Sequence, residues 1–207
     1  SRPVNYLTYS VAARDGREHE VEVYFEASPR WALDQPYQQS ASKGYEADGL
    51  LYLKSGSKEQ NILAKQGDDL RIDWGYFYMV AGKENTAYSV GNSTELRKNF
   101  VNGTLNSASL EGEDSNGNMA LVRSHGKVKN VTDKIMLGYD DIYSIQYFGT
   151  NLRPYWNSKG DRTIEAEMLA AYNEYDKLLA RCYAFDKKLM EDASAAGGKE
   201  YAELCAL

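Results

Sequence analysis

VNYLTYSVAARDGREHEVEVYFEAS, residues 4–28, sets the fold class by its spacing. Val21, Val23, Phe25 and Ala27 alternate with Glu20, Glu22, Tyr24 and Glu26, the two-residue period of a strand with one wet face. Leu7, Tyr9 and Val11 repeat the pattern ahead of it. RDGREH between them contains Asp-Gly, the dipeptide of tight reversals. The segment predicts a β-hairpin.

The same rhythm continues outward. Residues 29–48 hold Pro29, Pro36 and many Gln, Ser and Ala, and read as a long irregular connection. Strand-like text resumes at GLLYLKSG (49–56) and DLRIDWGYFYMVAG (69–82), where Leu70, Ile72, Trp74, Tyr76 and Tyr78 share one face. TAYSVG, ASLEG, NMALVRSHGKV and VTDKIMLGYDDIYSIQYFG follow at short intervals, separated by Gly, Asn and Asp. This is the pattern of an antiparallel β-sandwich. Val21, Val23, Phe25, Leu70, Ile72 and Trp74 are expected inside it.

After NLRPYWNSKG the period changes. Asp161 is a candidate N-cap, and Ile164, Met168, Tyr172, Tyr175, Leu179, Cys182, Phe185 and Leu189 form a stripe at helical spacing. The helix is expected to reach Ala195 or Ala196, roughly 50 Å on, and to stop at Gly197-Gly198. Met168, Tyr175, Leu179, Cys182 and Leu189 should lie on its packed side. EYAELCAL (200–207) then opens a second helix without a cap, and SRPVNYL already reads as a strand, so both ends are expected to lie inside a longer chain. Tyr201, Leu204 and Leu207 are expected to be partly exposed. The fold is therefore mainly β with a C-terminal helical segment: a sandwich over 1–150, a linker over 151–160, and at 161–207 the start of a helical domain.

The 207 residues are 43 % hydrophobic, enough for a core, with no run fit to cross a bilayer. A net charge of −6 and a pI near 5.1, with Lys and Arg scattered, exclude a nucleic-acid partner. Seventeen Tyr against five Phe suit wet sheet faces and domain contacts first, and a sugar- or peptide-binding face second. Two cysteines make neither a disulfide scaffold nor a Cys-based zinc site, and their positions read as free core thiols. Asn92, Asn102 and Asn130 each open a weak glycosylation triplet.

GxSxG, GxGxxG, the Walker loop and HExxH are all absent, so no cofactor or metal is called for. His19 and His125, the two histidines, sit at turns with no recognisable nucleophile beside them. Adjacent carboxylates on a strand point to opposite faces, so neither Asp68-Asp69 nor Asp140-Asp141 makes an acid–base couple by itself. Asp140 and Asp141 lie just before the sandwich-to-helix transition, near Tyr143, Arg153, Tyr155 and Trp156. Pockets favour such boundaries, which makes these six residues candidates for an interdomain or ligand-contacting site. An aromatic-packed linker is the simpler reading of the same residues.

Three stretches carry a more specific signal: RPVNYLTYSVAARDGREHEVEVYFEAS, LRIDWGYFYMVAG, and DDIYSIQYFGTNLRPYW followed by the long helix and GGKEYAELCAL. Together they resemble the glutaminase A family, known from secreted fungal enzymes and related Bacteroides proteins. The resemblance implies a sandwich preceding a large helical domain of six-hairpin-glycosidase type, a secreted or periplasmic location, and hydrolysis of the glutamine side-chain amide. No catalytic residue carries over, because none of the three stretches holds a catalytic motif. The expectation is an accessory sandwich and linker, inactive alone, whose partners are the remaining helical domain and glutamine or a glycan. The alternative is a carbohydrate-binding or glycosidase-associated module, which requires a row of coplanar exposed aromatics on one sheet face.

Overall fold

A computed structural model describes residues 2–105 and 117–206. They fall into two compact units, Ser1–Met168 and Leu169–Leu207. The first holds β1 (Val4–Ala12), β2 (His19–Ala27), β3 (Ser40–Ala47), β4 (Leu50–Ser57), β5 (Tyr76–Gly82), β6 (Thr86–Gly91), α1 (Ser93–Val101), β7 (Asn118–Val128), β8 (Asn130–Asp140), β9 (Ile145–Tyr147) and β10 (Thr150–Leu152). It also holds the first turn of α2 (Ile164–Cys205). A five-stranded sheet of order β1-β8-β5-β4-β3 faces a three-stranded one of order β2-β7-β6, and every pairing is antiparallel. Leu51, Leu53, Phe77, Met79, Ala81 and Ile135 from the larger sheet meet Ala27, Tyr88, Val90, Met119 and Leu121 from the smaller. Burial of these side chains, about 1.5–3 kcal/mol for each large one, drives the assembly.

The expected hairpin of residues 4–28 does not form. β1 pairs with β8 and β2 with β7, so the two strands belong to different sheets. Opposite them, residues 118–140 run as one ribbon from sheet to sheet, interrupted only at Lys129. Ala12 faces Asn130 and His19 faces Val128, which leaves residues 13–18 looped out against that single residue. The Asp-Gly turn exists inside the loop: Gly16 has φ +70° and Asp15 accepts the Arg17 N–H at 2.9 Å. It turns the loop locally and does not reverse the strand.

β3 replaces part of the expected irregular connection. Its core-facing residues are Ser40, Ser42 and Gly44, so it lacks the apolar alternation of its neighbours. Ser42 bonds Ser55 at 2.7 Å, which satisfies the buried hydroxyls. Gly44 is small because the Tyr88 ring of the opposite sheet lies where a Cβ would be. α1 was also unexpected. Asn92, the first glycosylation triplet's Asn, caps it by accepting the Thr94 and Glu95 N–H groups. Leu96 anchors the helix, and Arg97 holds Glu26 of β2 at 2.8 Å.

The strand expected from residue 69 starts only at Tyr76. Asp69 and Gly75 adopt positive φ, breaking the extended geometry, so Leu70 and Ile72 are exposed while Trp74 is buried. Val21, Val23 and Phe25 are half-buried, Phe25 against the core. The expected strand ASLEG lies outside the described residues. β6 and β7 fall where the alternation placed them.

On the outer face of the larger sheet, Lys43, Lys54, Tyr78 and Gly138 stand side by side across β3, β4, β5 and β8. The glycine leaves a hollow that the Met168 methyl fills, with the Pro3 carbonyl also within 2.7 Å of a would-be Cβ. Ile164 and Met168 are thereby buried in the first unit.

The second unit is helical and breaks at Gly198, whose φ of 82° and ψ of −177° agree with the expected stop. Gly197 is held small by the Tyr201 ring, 2.5 Å from where its Cβ would stand. Within α2, Met168 and Tyr175 are buried and Leu179 half-buried, but Cys182 and Leu189 are exposed, contrary to expectation. Cys205 is exposed too, so neither cysteine is a core thiol. Tyr201 and Leu204 are exposed as expected, and Leu207 lies outside the described residues.

Gly138→Val should lower stability by about 1–3 kcal/mol through overpacking, read as a fall in the urea midpoint. Gly91→Ala, whose Cβ would meet only Leu96 at 4.0 Å, should stay near wild type.

Candidate functional site

β8 ends at Asp140, paired with Tyr76, and the chain turns at once. Gly75, at φ +75°, makes room for this turn: a Cβ there would strike the Asp140 carbonyl and come within 2.8 Å of Asp141 Cα. Asp140 accepts the Ile142 N–H at 3.0 Å, and Asp141 accepts the Ser144 hydroxyl at 2.5 Å. Ile142, a β-branched residue, sits at φ +60°, a strained conformation held by these bonds. Trp74 donates its indole N–H to the Tyr143 carbonyl at 2.9 Å, and the Arg153 guanidinium lies 5.0 Å from the Tyr143 ring centre. Tyr155 and Trp156 stand on a separate 3₁₀ turn. They line a cavity of about 340 Å³ with Ser158, Lys159, Asp161 and Arg162, Trp156 buried and Tyr155 open to solvent. The six residues singled out from the sequence thus form two groups: the turn of Asp140, Asp141 and Tyr143 joined by Arg153, and the Tyr155–Trp156 wall.

Asp140 also faces a set of residues that alternation alone did not mark. On the outer sheet face the Lys54 ammonium lies 3.6 Å from the Tyr76 ring centre and 5.7 Å from that of Tyr78. Beside it the Tyr45 and Tyr52 rings stack at 5.0 Å. Tyr45 donates to the Glu165 carboxylate at 2.7 Å, and Tyr52 to the Glu165 carbonyl at 3.4 Å. Burial pushes Lys54 below its usual range, and Lys43 adds to that. Burial pushes Asp140 up, with Asp141 and Glu165 adding to it against the Ile142 bond and Lys54. Burial and Glu165 raise Tyr52 to about 12, and burial also raises Tyr45 and Tyr78. Among the described residues Lys54 has no direct ion pair. The face therefore offers an amine that deprotonates more readily, and a carboxyl that protonates more readily, than either would in water.

Neither histidine joins this set. His19 bonds Asp15 at 2.9 Å in the exposed loop, and His125 lies 2.9 Å from the Tyr9 hydroxyl. Among the described residues no group of three or more His, Cys, Asp or Glu is placed to hold a metal ion, and no helix is long and apolar enough to cross a membrane.

Residues 1–192 match a family described as a domain of unknown function, DUF5127. The chain belongs to the DUF5127 family. This DUF5127 chain is also 26 % identical over 220 residues to the glutaminase A of Aspergillus oryzae, an alignment covering 98 % of the chain and 31 % of that protein. The resemblance to glutaminase A thus holds at the level of a distant relative, and the chain spans about a third of that relative's length.

Asp140→Asn keeps the acceptor for the Ile142 N–H and removes a charge that burial disfavours. Because the folded-state pKa is raised, the wild type loses stability as pH rises through it. The variant should therefore melt higher than wild type at pH 7, with the gain vanishing as pH falls below the carboxylate range. Melting curves over that range check this.

Proposed function

We propose that this chain is the accessory sandwich and linker of a glutaminase-like amide hydrolase, secreted or periplasmic, with the sandwich over 1–150, the linker over 151–160 and the start of a helical domain over 161–207. The observation that carries the reading is the exposed apolar side of the helical unit. Leu178, Phe185 and Leu189 share one side of α2 and are exposed, at up to 68 % for Phe185, and Tyr201 and Leu204 are exposed beyond the Gly198 break. A stripe of that size on a helix calls for a covering surface, and a helical domain continuing the chain supplies one. Similarity to a glutaminase A three times as long supports the same reading. Asp140, Asp141, Tyr143, Arg153, Tyr155 and Trp156 then serve as contacts at the domain boundary, and glutamine is turned over elsewhere in the parent protein.

The carbohydrate-module reading gains less support. The aromatic row on the larger sheet, Tyr45, Tyr52, Tyr76 and Tyr78, lies beside Glu165, with Tyr52 and Tyr78 fully buried. The exposed aromatics Trp31, Phe148 and Tyr155 stand on turns and loops, and Tyr147 ends the three-residue strand β9, so they form no row across a strand face.

Residues 1–207 should release no ammonia from glutamine, and a form continuing through the helical domain should do so. The longer form should also melt higher, since each newly buried large side chain contributes about 1.5–3 kcal/mol. Turnover by residues 1–207 that is lost in Asp140→Asn or Asp141→Asn would put the active site in the sandwich and overturn the reading.

A further inference from the structure

A second cavity, of about 570 Å³, contains none of the six residues considered above. It is lined by Arg30, Trp31, Leu33, Arg71, Ile72 and Tyr139. That volume falls in the range of small-molecule sites. Two segments present its side chains, and both are held from below. Arg30 and Trp31 ride on the 3₁₀ turn Pro29–Ala32, which has Pro29 in its first turn and the Ser28 hydroxyl accepting the Arg30 N–H at 3.3 Å. Arg71 and Ile72 belong to a loop whose Arg71 N–H is bonded to the Asp34 carboxylate. Lys65 bridges Asp34 and the buried Asp73 at 3.2 and 2.9 Å, and Gln38 donates to Asp73 at 2.9 Å. Tyr139 closes one side, its hydroxyl donating to the Trp74 carbonyl at 2.5 Å.

The charge balance of this cavity is uneven. Lys65 already pairs with the nearby carboxylates Asp34 and Asp73. Among the described residues neither the Arg30 nor the Arg71 guanidinium has an ion-pair partner, although the chain as a whole carries a net charge of −6. Between them stands an unusual apolar surface. Trp31 is 68 % exposed although its ring packs on Phe77 with 5.5 Å between centres, and Ile72 beside it is also exposed. An indole fixed by a ring beneath it is a rigid platform, and a guanidinium fork matches a carboxylate in two parallel hydrogen bonds.

We propose that this cavity binds a carboxylate carried on a ring, either a uronic acid sugar or an aromatic acid, with Arg30 and Arg71 holding the carboxylate and the ring lying on Trp31. The proposal uses no part of the glutaminase reading, so either can fail without the other. Calorimetric titration of residues 1–207 tests it with glucuronate and benzoate, each set against its neutral counterpart, glucose or benzyl alcohol. At least one acid should bind about tenfold or more tightly than its counterpart, and added salt should weaken it. Preference for glucuronate identifies the sugar source, and preference for benzoate the aromatic one. Arg30→Gln and Arg71→Gln should each weaken binding of the acid about fivefold or more without loss of melting temperature, because these side chains are exposed, and Trp31→Ala should weaken it likewise. Equal binding of acid and neutral probe, acid binding unchanged in both arginine variants, or no binding of either acid at about 20 mM would each overturn the proposal.

Discussion

Residues 118–140 belong to both sheets, and that shared ribbon constrains the rest of the sandwich. As β7 it is the middle strand of the smaller sheet, and as β8 it lies between β1 and β5 in the larger. Its neighbours on one side, β1 and β2, must cross between sheets where it does. Arg123 fixes the crossing. Its guanidinium meets Asp133 at 2.8 and 2.9 Å and also donates to the Gly82 and Glu84 carbonyls at 2.8 and 2.7 Å and to Thr86. One side chain thereby ties β7, β8 and the β5–β6 turn. A mostly buried pair is stable only when nearly every donor is used, and here the backbone carbonyls use the donors that Asp133 leaves. Tyr9 on β1 donates to the same carboxylate at 3.2 Å, and His125 meets the Tyr9 hydroxyl, so the crossing is bonded on three strands.

Much of the fold was legible because its periods are clean. β6, β7 and the Gly197-Gly198 break stand where alternation and glycine placed them. The failures share a cause: a local pattern outranked by its partner in space. Asp-Gly signals a reversal, yet register with the shared ribbon keeps β1 and β2 in separate sheets. Ser40, Ser42 and Gly44 read as a loop because their burial is satisfied by hydroxyl pairing and by the Tyr88 ring, neither of which leaves an apolar period. Asn92 with Glu95 three residues on is the helix-start signature of α1, and it overlaps the glycosylation triplet Asn92-Ser93-Thr94, which hides it.

The candidate site divides in the same way. Asp140 was legible as a carboxylate at a transition in the chain, and Tyr143 and Arg153 do meet. Lys54, Tyr45, Tyr76, Tyr78 and Glu165 were not, because what unites them is the side-by-side order of β3, β4, β5 and β8 and the hollow over Gly138. Strand order is a long-range fact, and the intervals between these residues do not encode it. Arg30 and Arg71 escaped notice for a related reason. Far apart in the chain, they line one cavity only because Asp34, Lys65 and Asp73 fasten two loops together.

The loop of residues 13–18 has a consequence for how the chain can vary. Its two ends are clamped, one by the Ala13 N–H bonded to the Lys129 carbonyl at 2.8 Å and the other by His19 opposite Val128. The sheet has therefore already closed the loop, and added residues cost only the slow logarithmic entropy of a longer contour, about 0.6 kcal/mol per doubling. Here a foreign peptide or an inherited insertion can enter the chain without moving a single strand.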